Sequence, residues 1–218
     1  MDQRFSAAVF DLDGTVADSS LLHLETFNTV LKPLGITIQK EFWLEHYEGT
    51  GSKHIIEDVL LQKGMLGKVD VETLRQQRLV KYKELAQRKL IAVRGFSAFF
   101  DQLKSLKVPS IIATNAEPEN VTLALEILKL TEEPTVTGKE AGRMKPDPAV
   151  YTLACKKLGK KPADCVVFED SVSGVLAAKR AGCYCVCVLT TNPEERLKEA
   201  GADLVVKDFT KLTPSMFF

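Results

Sequence analysis

Ala8-Val9-Phe10-Asp11-Leu12-Asp13-Gly14-Thr15-Val16-Ala17 runs an apolar stretch into two carboxylates spaced two apart, then a glycine and a hydroxyl. Taken as a strand, Ala7–Asp11 directs Asp11 and Asp13 the same way beyond its C-terminal edge. Open α/β sheets build their ligand sites at that edge. Two acids held together there can bind a hard cation, and one of them can attack an electrophile. A DxDG loop alone equally suits a solvated turn or half of a calcium loop, so its meaning depends on partners further along the chain.

Three later segments supply them. Ser110-Ile111-Ile112-Ala113-Thr114-Asn115 is a second apolar run, ending in a hydroxyl and an amide. Arg143-Met144-Lys145-Pro146-Asp147-Pro148 sets one lysine before a rigid turn that opens a helix. Cys165-Val166-Val167-Phe168-Glu169-Asp170 ends in paired acids, and Ser171 to Gly174 leads into the next helix. Singly, Thr114 could end a strand, Lys145 could be a loop charge and Glu169-Asp170 a helix cap. Jointly, three strand ends deposit polar groups at one edge.

With these residues in order, the chain resembles the haloacid dehalogenase-like superfamily of phosphotransferases, from Val9 to about Val188. The four motifs fall on Asp11-x-Asp13-Gly14-Thr15, Thr114, Lys145 and Glu169-Asp170, in the manner of the branch with β-phosphoglucomutase and phosphoglycolate phosphatase. The resemblance implies that Asp11 is the nucleophile, forming an aspartyl phosphate, and that Asp13 is the general acid and base. It implies Mg2+ as cofactor, held by Asp11, the Asp13 carbonyl and Asp170, with Glu169 a direct or water-bridged member. Thr114 and Lys145 would contact the phosphoryl oxygens, with Asn115 and the Leu12 and Ala116 amides as further candidates. The function implied is a magnesium-dependent phosphatase for a small phosphorylated metabolite such as a sugar phosphate. A β-phosphoglucomutase-type mutase is the alternative, and a non-catalytic binding protein on the same fold a lesser one. A dehalogenase fits poorly, because it needs no magnesium.

The order of apolar runs predicts an α/β fold with a Rossmann-like parallel sheet flanked by helices. Strands are expected at Ala7–Asp11, Ser110–Thr114, Thr135–Thr137, Cys165–Glu169, Cys183–Leu189 and Leu204–Val206. Helices are expected between them at Gly95–Leu106, Pro118–Leu128, Pro148–Leu158, Val172–Ala181 and Pro193–Ala200. From about Ala17 to Leu90 the pattern turns all-helical: Ser19–Leu34, Lys40–Tyr47, Lys53–Gly64 and Val71–Gln87. An all-helical insertion after the first strand looks like the family's cap domain, giving a cap over 17–90 and a core of 1–16 with 91–218.

Within the cap, His23 resembles a mutase-branch histidine that faces the active site, against a plain reading as an exposed helix residue. Gly49-Thr50-Gly51-Ser52-Lys53 falls at the family's specificity loop. The mutase pattern has an arginine near Lys53; a lysine keeps the charge without the bidentate fork. Thr114-Asn115 looks more like the phosphatase members. Arg78 sits where another cap cation would fall but reads first as a surface helix charge, and Phe42, Trp43 and Tyr47 could line a pocket but at helical spacing read as cap core.

The 218 residues carry 29 basic and 29 acidic side chains, so no overall field favours nucleic acid or an acidic membrane. The absence of a signal peptide and of any run of about 20 apolar residues predicts a soluble, cytoplasmic protein; the expected partner is the small phosphorylated metabolite, with the chain a monomer or weak homodimer. Cys183, Cys185 and Cys187 share one strand face. Zinc is an alternative there, but without a second finger-like ligand cluster the five cysteines read as buried reduced thiols. The Lys207–Phe218 tail either packs on the core or mediates a contact.

Overall fold

Four consecutive residues, Ala7–Phe10, have no solvent exposure and form the central strand β1 of a parallel sheet. The computed structural model describes residues 5–47 and 50–218. The other strands are β2 (Ser110–Thr114), β3 (Thr135–Thr137), β4 (Cys165–Glu169), β5 (Tyr184–Val188) and β6 (Leu204–Val206). Their order is β3-β2-β1-β4-β5-β6, every pairing parallel. Strands covered on both faces read as continuous apolar runs, which is why the sequence signal was strong. The chain lays β2 and β3 to one side of β1 and returns β4 to the other. The crevice beyond β1 and β4 is therefore the topological switch point.

The described residues form two compact units, one running up to Asp18 and resuming over Ile91–Phe218, the other Ser19–Leu90. The smaller unit is helical: α1 (Ser20–Leu31), the single turn α2 (Lys40–Phe42), α3 (Ser52–Gln62) and α4 (Val71–Lys89). Phe27, Trp43, Ile55, Ile56 and Leu60 form its core. Helix α1 stops short of the expected Leu34, because Pro33 occupies a separate 3-10 turn closed by Gly35 in the left-handed region. The expected Lys40–Tyr47 helix is one α-turn followed by a π-turn over Trp43–Tyr47. Trp43 and Tyr47 are buried there, while Phe42 is partly exposed. Asp70 caps α4 by accepting hydrogen bonds from the Glu72 and Thr73 amides.

In the larger unit the helices are α5 (Phe96–Ser105), α6 (Pro118–Leu128), α7 (Gly138–Ala141), α8 (Ala149–Lys157), α9 (Val172–Ala181) and α10 (Glu194–Glu199). The two faces of the sheet are packed differently. On one, Phe10 of β1 stacks on Phe168 of β4 at 4.8 Å, and α5 adds Phe96, Phe99 and Phe100. Phe217 meets Phe168 edge-on at 5.7 Å, and its carbonyl accepts the Phe5 amide, so the C-terminal tail packs on the core. On the other face, Ala7, Val9, Cys165 and Val167 pack beneath Val150, Tyr151 and Ala154 of α8 and Val175 and Ala178 of α9. The five cysteines are free and buried, and all lie in this second cluster. Among the described residues no helix is long and apolar enough to cross a membrane.

The Phe10–Phe168 stack ties together the two strands that carry the acids. Phe168→Ala is expected to lower the unfolding free energy by about 3–5 kcal/mol in chemical denaturation. A loss below about 1 kcal/mol would mean the aromatic face does not hold these strands together.

Candidate active site

Strand alternation determines where the acids point. Ala7 and Val9 face α8 and α9, as do Cys165 and Val167, so Glu169 continues that row at the last position of β4 and Asp11 one step past the end of β1. The Asp11 amide donates to the Phe168 carbonyl at 2.9 Å, carrying the β1–β4 ladder one step beyond Phe10. The chain then turns tightly: the amides of Thr15, Val16 and Ala17 all donate to the Leu12 carbonyl.

Lys145 reaches this point from the loop before α8. Its Nζ donates to Asp11 Oδ1 and, at 2.7 Å, to Glu169 Oε1, with all three side chains buried. Asn115, just past β2, clamps the lysine's backbone: its Oδ1 accepts the Lys145 amide at 2.9 Å, and its Nδ2 donates to the Lys145 carbonyl at 3.4 Å. Thr114 is buried beside it, and its hydroxyl accepts the Ala116 amide at 3.0 Å.

Both oxygens of Glu169 are heavily committed. Oε1 accepts from Lys145 Nζ and from Tyr151 Oη at 2.6 Å. Oε2 accepts from the amides of Asp170 and Ser171 and from Ser171 Oγ. Asp170 turns to a different set of donors. Its Oδ2 accepts from Thr191 Oγ1 at 2.5 Å and Thr190 Oγ1 at 3.4 Å, and its Oδ1 from Thr15 Oγ1 at 3.4 Å. Its carbonyl accepts from Thr191 Oγ1 and Asn192 Nδ2.

The charges are strongly coupled to burial. Burial pushes the Asp11 carboxyl up to about 8; Lys145 pulls it down, and Glu169 and Asp13 push it up again. Burial likewise opposes ionisation of Glu169, but the Lys145 ammonium and its hydrogen bonds hold that carboxyl below the usual range. For Lys145 burial again opposes the charge, and Asp11 and Glu169 outweigh it, keeping the ammonium above the ordinary lysine range. The buried phenol of Tyr151 is raised well above its usual value, chiefly by burial and then by Glu169, so it stays a donor.

Asp11, Glu169 and Asp170 offer oxygens within 4.8 Å of one another. Three acids against one ammonium, with oxygen donors throughout, fit a hard divalent cation. Glu169 already accepts five hydrogen bonds on its two oxygens, so direct ligation there would displace a donor from the Lys145 and Tyr151 side or from the Asp170 and Ser171 side. Two glycines make room for the cluster. A Cβ on Gly14, which has φ +78°, would stand 2.0 Å from Asp170 Oδ2, and one on Gly174 would stand 1.7 Å from Glu169 Oε1.

His23 and Lys53 belong to the helical unit. His23 is half-buried, stacked on Tyr82 at 4.5 Å, with Nδ1 2.7 Å from Arg78 Nη2. The plain reading of an exposed histidine therefore does not hold. Nor is Arg78 a surface charge: it is buried, with its guanidinium 4.5 Å from the Phe27 ring centroid. A planar cation can be buried in this way because it lies flat on an aromatic face. Lys53 is exposed and sits 3.7 Å from Glu57. Of the predicted specificity loop, Gly49 lies outside the described residues.

Tyr151, Ser171, Thr190 and Thr191 were missed in sequence. Thr190-Thr191-Asn192 comes just beyond β5, as Thr114-Asn115 marks the end of β2, so a polar signal near a strand end was present there. Tyr151 had none, being an aromatic at an ordinary helix position.

The chain's residues 8–188 match the model of the haloacid dehalogenase-like hydrolase family. The chain belongs to that family. Validoxylamine A 7'-phosphate phosphatase of Streptomyces hygroscopicus subsp. limoneus is 30% identical over 211 residues, covering 95% of this chain and 96% of the relative. β-Phosphoglucomutase of Bacillus subtilis is 26% identical, covering 95% and 91%. Among solved structures, CbbY from Rhodobacter sphaeroides in complex with xylulose 1,5-bisphosphate aligns with a TM-score of 0.84 at 27% identity, over 95% of this chain and 96% of that one.

Gly14→Ala is expected to displace Asp170 and to weaken Mg2+ binding about 10- to 100-fold in titration calorimetry. Unchanged affinity in a variant whose crystal structure shows Asp170 displaced would exclude Asp170 as a ligand.

Proposed function

We propose that the protein is a magnesium-dependent phosphatase that hydrolyses a small phosphorylated metabolite, a sugar phosphate or a close analogue, through an aspartyl phosphate. The observation that carries this reading is Asp11 at the end of β1, held by Lys145 beside the Asp170 carboxylate. Asp11 attacks phosphorus in line, forming its P–O bond as the ester P–O bond breaks. Asp13, in its neutral form, gives its proton to the departing oxygen and is left as the carboxylate. It then takes a proton from the water that cleaves the aspartyl phosphate.

Lys145 and Thr114 bind the equatorial phosphoryl oxygens, where charge accumulates. Asn115 contributes by holding the Lys145 backbone rather than by touching phosphate. Asp11, the Asp13 carbonyl and Asp170 would hold Mg2+, with Glu169 at the edge of that set. When bound, the ion offsets the repulsion between carboxylate and phosphate. We assign the helical insertion the family's cap role and the choice of substrate.

The mutase reading is the competitor, supported by the match to β-phosphoglucomutase. Phosphorus NMR with Mg2+, β-glucose 1-phosphate and a trace of glucose 1,6-bisphosphate separates the two. Free phosphate is expected; glucose 6-phosphate without comparable free phosphate would make the protein a mutase. Asp11→Ala should abolish turnover on any substrate the protein accepts while leaving the fold intact, and full activity in that variant would sink the mechanism. Chelation by EDTA should stop turnover, and added Mg2+ should restore it.

A further inference from the structure

Tyr151 brings a hydroxyl into a fully buried cluster of charges. It stands in the first turn of α8, six residues after Lys145, with no solvent exposure. Its Oη donates at 2.6 Å to Glu169 Oε1, the oxygen that also accepts from Lys145 Nζ. Its ring lies against the same ammonium, with Nζ 4.6 Å from the ring centroid. One side chain therefore touches both the lysine and the carboxylate that anchors it.

A phenylalanine would fill this volume equally well, and burying a phenol costs free energy unless its hydroxyl is hydrogen-bonded. The hydroxyl has a specific task available. Lys145 is shared between two carboxylates, and a fully charged, unshared Glu169 Oε1 would draw the ammonium away from Asp11. The Tyr151 hydroxyl occupies one side of that oxygen and moderates its pull. The ring face stabilises the ammonium from the side of α8. The three donors on Oε2 prevent the carboxylate from turning to compensate.

We propose that Tyr151 is a positioning residue: by fixing Glu169 and supporting the Lys145 ammonium, it keeps that ammonium on Asp11 and on the group Asp11 receives. The proposal rests on the aspartyl-phosphate reading and adds a role for Glu169 as the lysine's anchor. Tyr151 touches neither the attacking oxygen nor the phosphoryl group.

The test is Tyr151→Phe, which keeps the ring and removes the hydroxyl. kcat is expected to fall about 10- to 100-fold, as for other supporting contacts, with KM nearly unchanged. In a Glu169→Gln background the same substitution should add little, because its effect runs through Glu169. A second readout needs no substrate. The buried Lys145 ammonium should give a nitrogen-15 resonance, assigned by its loss in Lys145→Arg, that shifts or broadens in Tyr151→Phe. Glu169→Gln should perturb the same signal from the other partner, which keeps the test decisive if Tyr151→Phe does not fold. Wild-type kcat with an unmoved ammonium signal would overturn the proposal, as would full additivity with Glu169→Gln. If the wild-type protein hydrolyses no phosphate ester, the phosphatase reading fails, and the ammonium signal alone decides the positioning role.

Discussion

The Lys145 ammonium, shared between Asp11 and Glu169, is the contact on which the site depends. It joins the ends of two adjacent parallel strands to a loop that starts far away in sequence. Without a cation, two buried carboxylates at neighbouring strand ends could not both stay ionised, and burial would leave Asp11 protonated. With it, Asp11 has one oxygen held and a second available for chemistry. The neighbouring polar groups support this arrangement. Asn115 holds the lysine's backbone, while Tyr151 and Ser171 hold Glu169.

The sheet provides the rigidity this contact needs. Its aromatic face joins β1 to β4 through Phe10 and Phe168, and α5 and the C-terminal tail close over them. Its other face is built mainly from alanine, valine and cysteine, small residues beneath α8 and α9. Helix α8 brings Tyr151 within reach of Glu169, and Gly174 in α9 leaves space for that carboxylate. The polar site is in this sense a product of small-residue packing beneath it.

The two acids that end β4 differ in kind, although adjacent in sequence. Glu169 keeps the strand's alternation and faces α8, where amides, a phenol and an ammonium saturate it. Asp170 lies one residue further, beyond the ladder, and accepts from the hydroxyls of Thr15, Thr190 and Thr191. The pair therefore separates into an anchor for the lysine and a candidate cation ligand.

The sheet and the core site were legible in sequence because parallel strands buried on both faces leave uninterrupted apolar runs, and the polar residues that end those runs stand out. Asp11, Thr114 and the Glu169-Asp170 pair could be picked out that way; Lys145 stood out as the lysine before a rigid proline turn and through the family resemblance, and the insertion by its break in the strand–helix alternation. The partner of each side chain could not be read in the same way. The roles of Tyr151, Asn115 and the two threonines, and the burial of Arg78 against Phe27, depend on which helix covers which sheet face and at what distance. Periodicity along a chain states which way a residue points; only the packed structure states what it meets there.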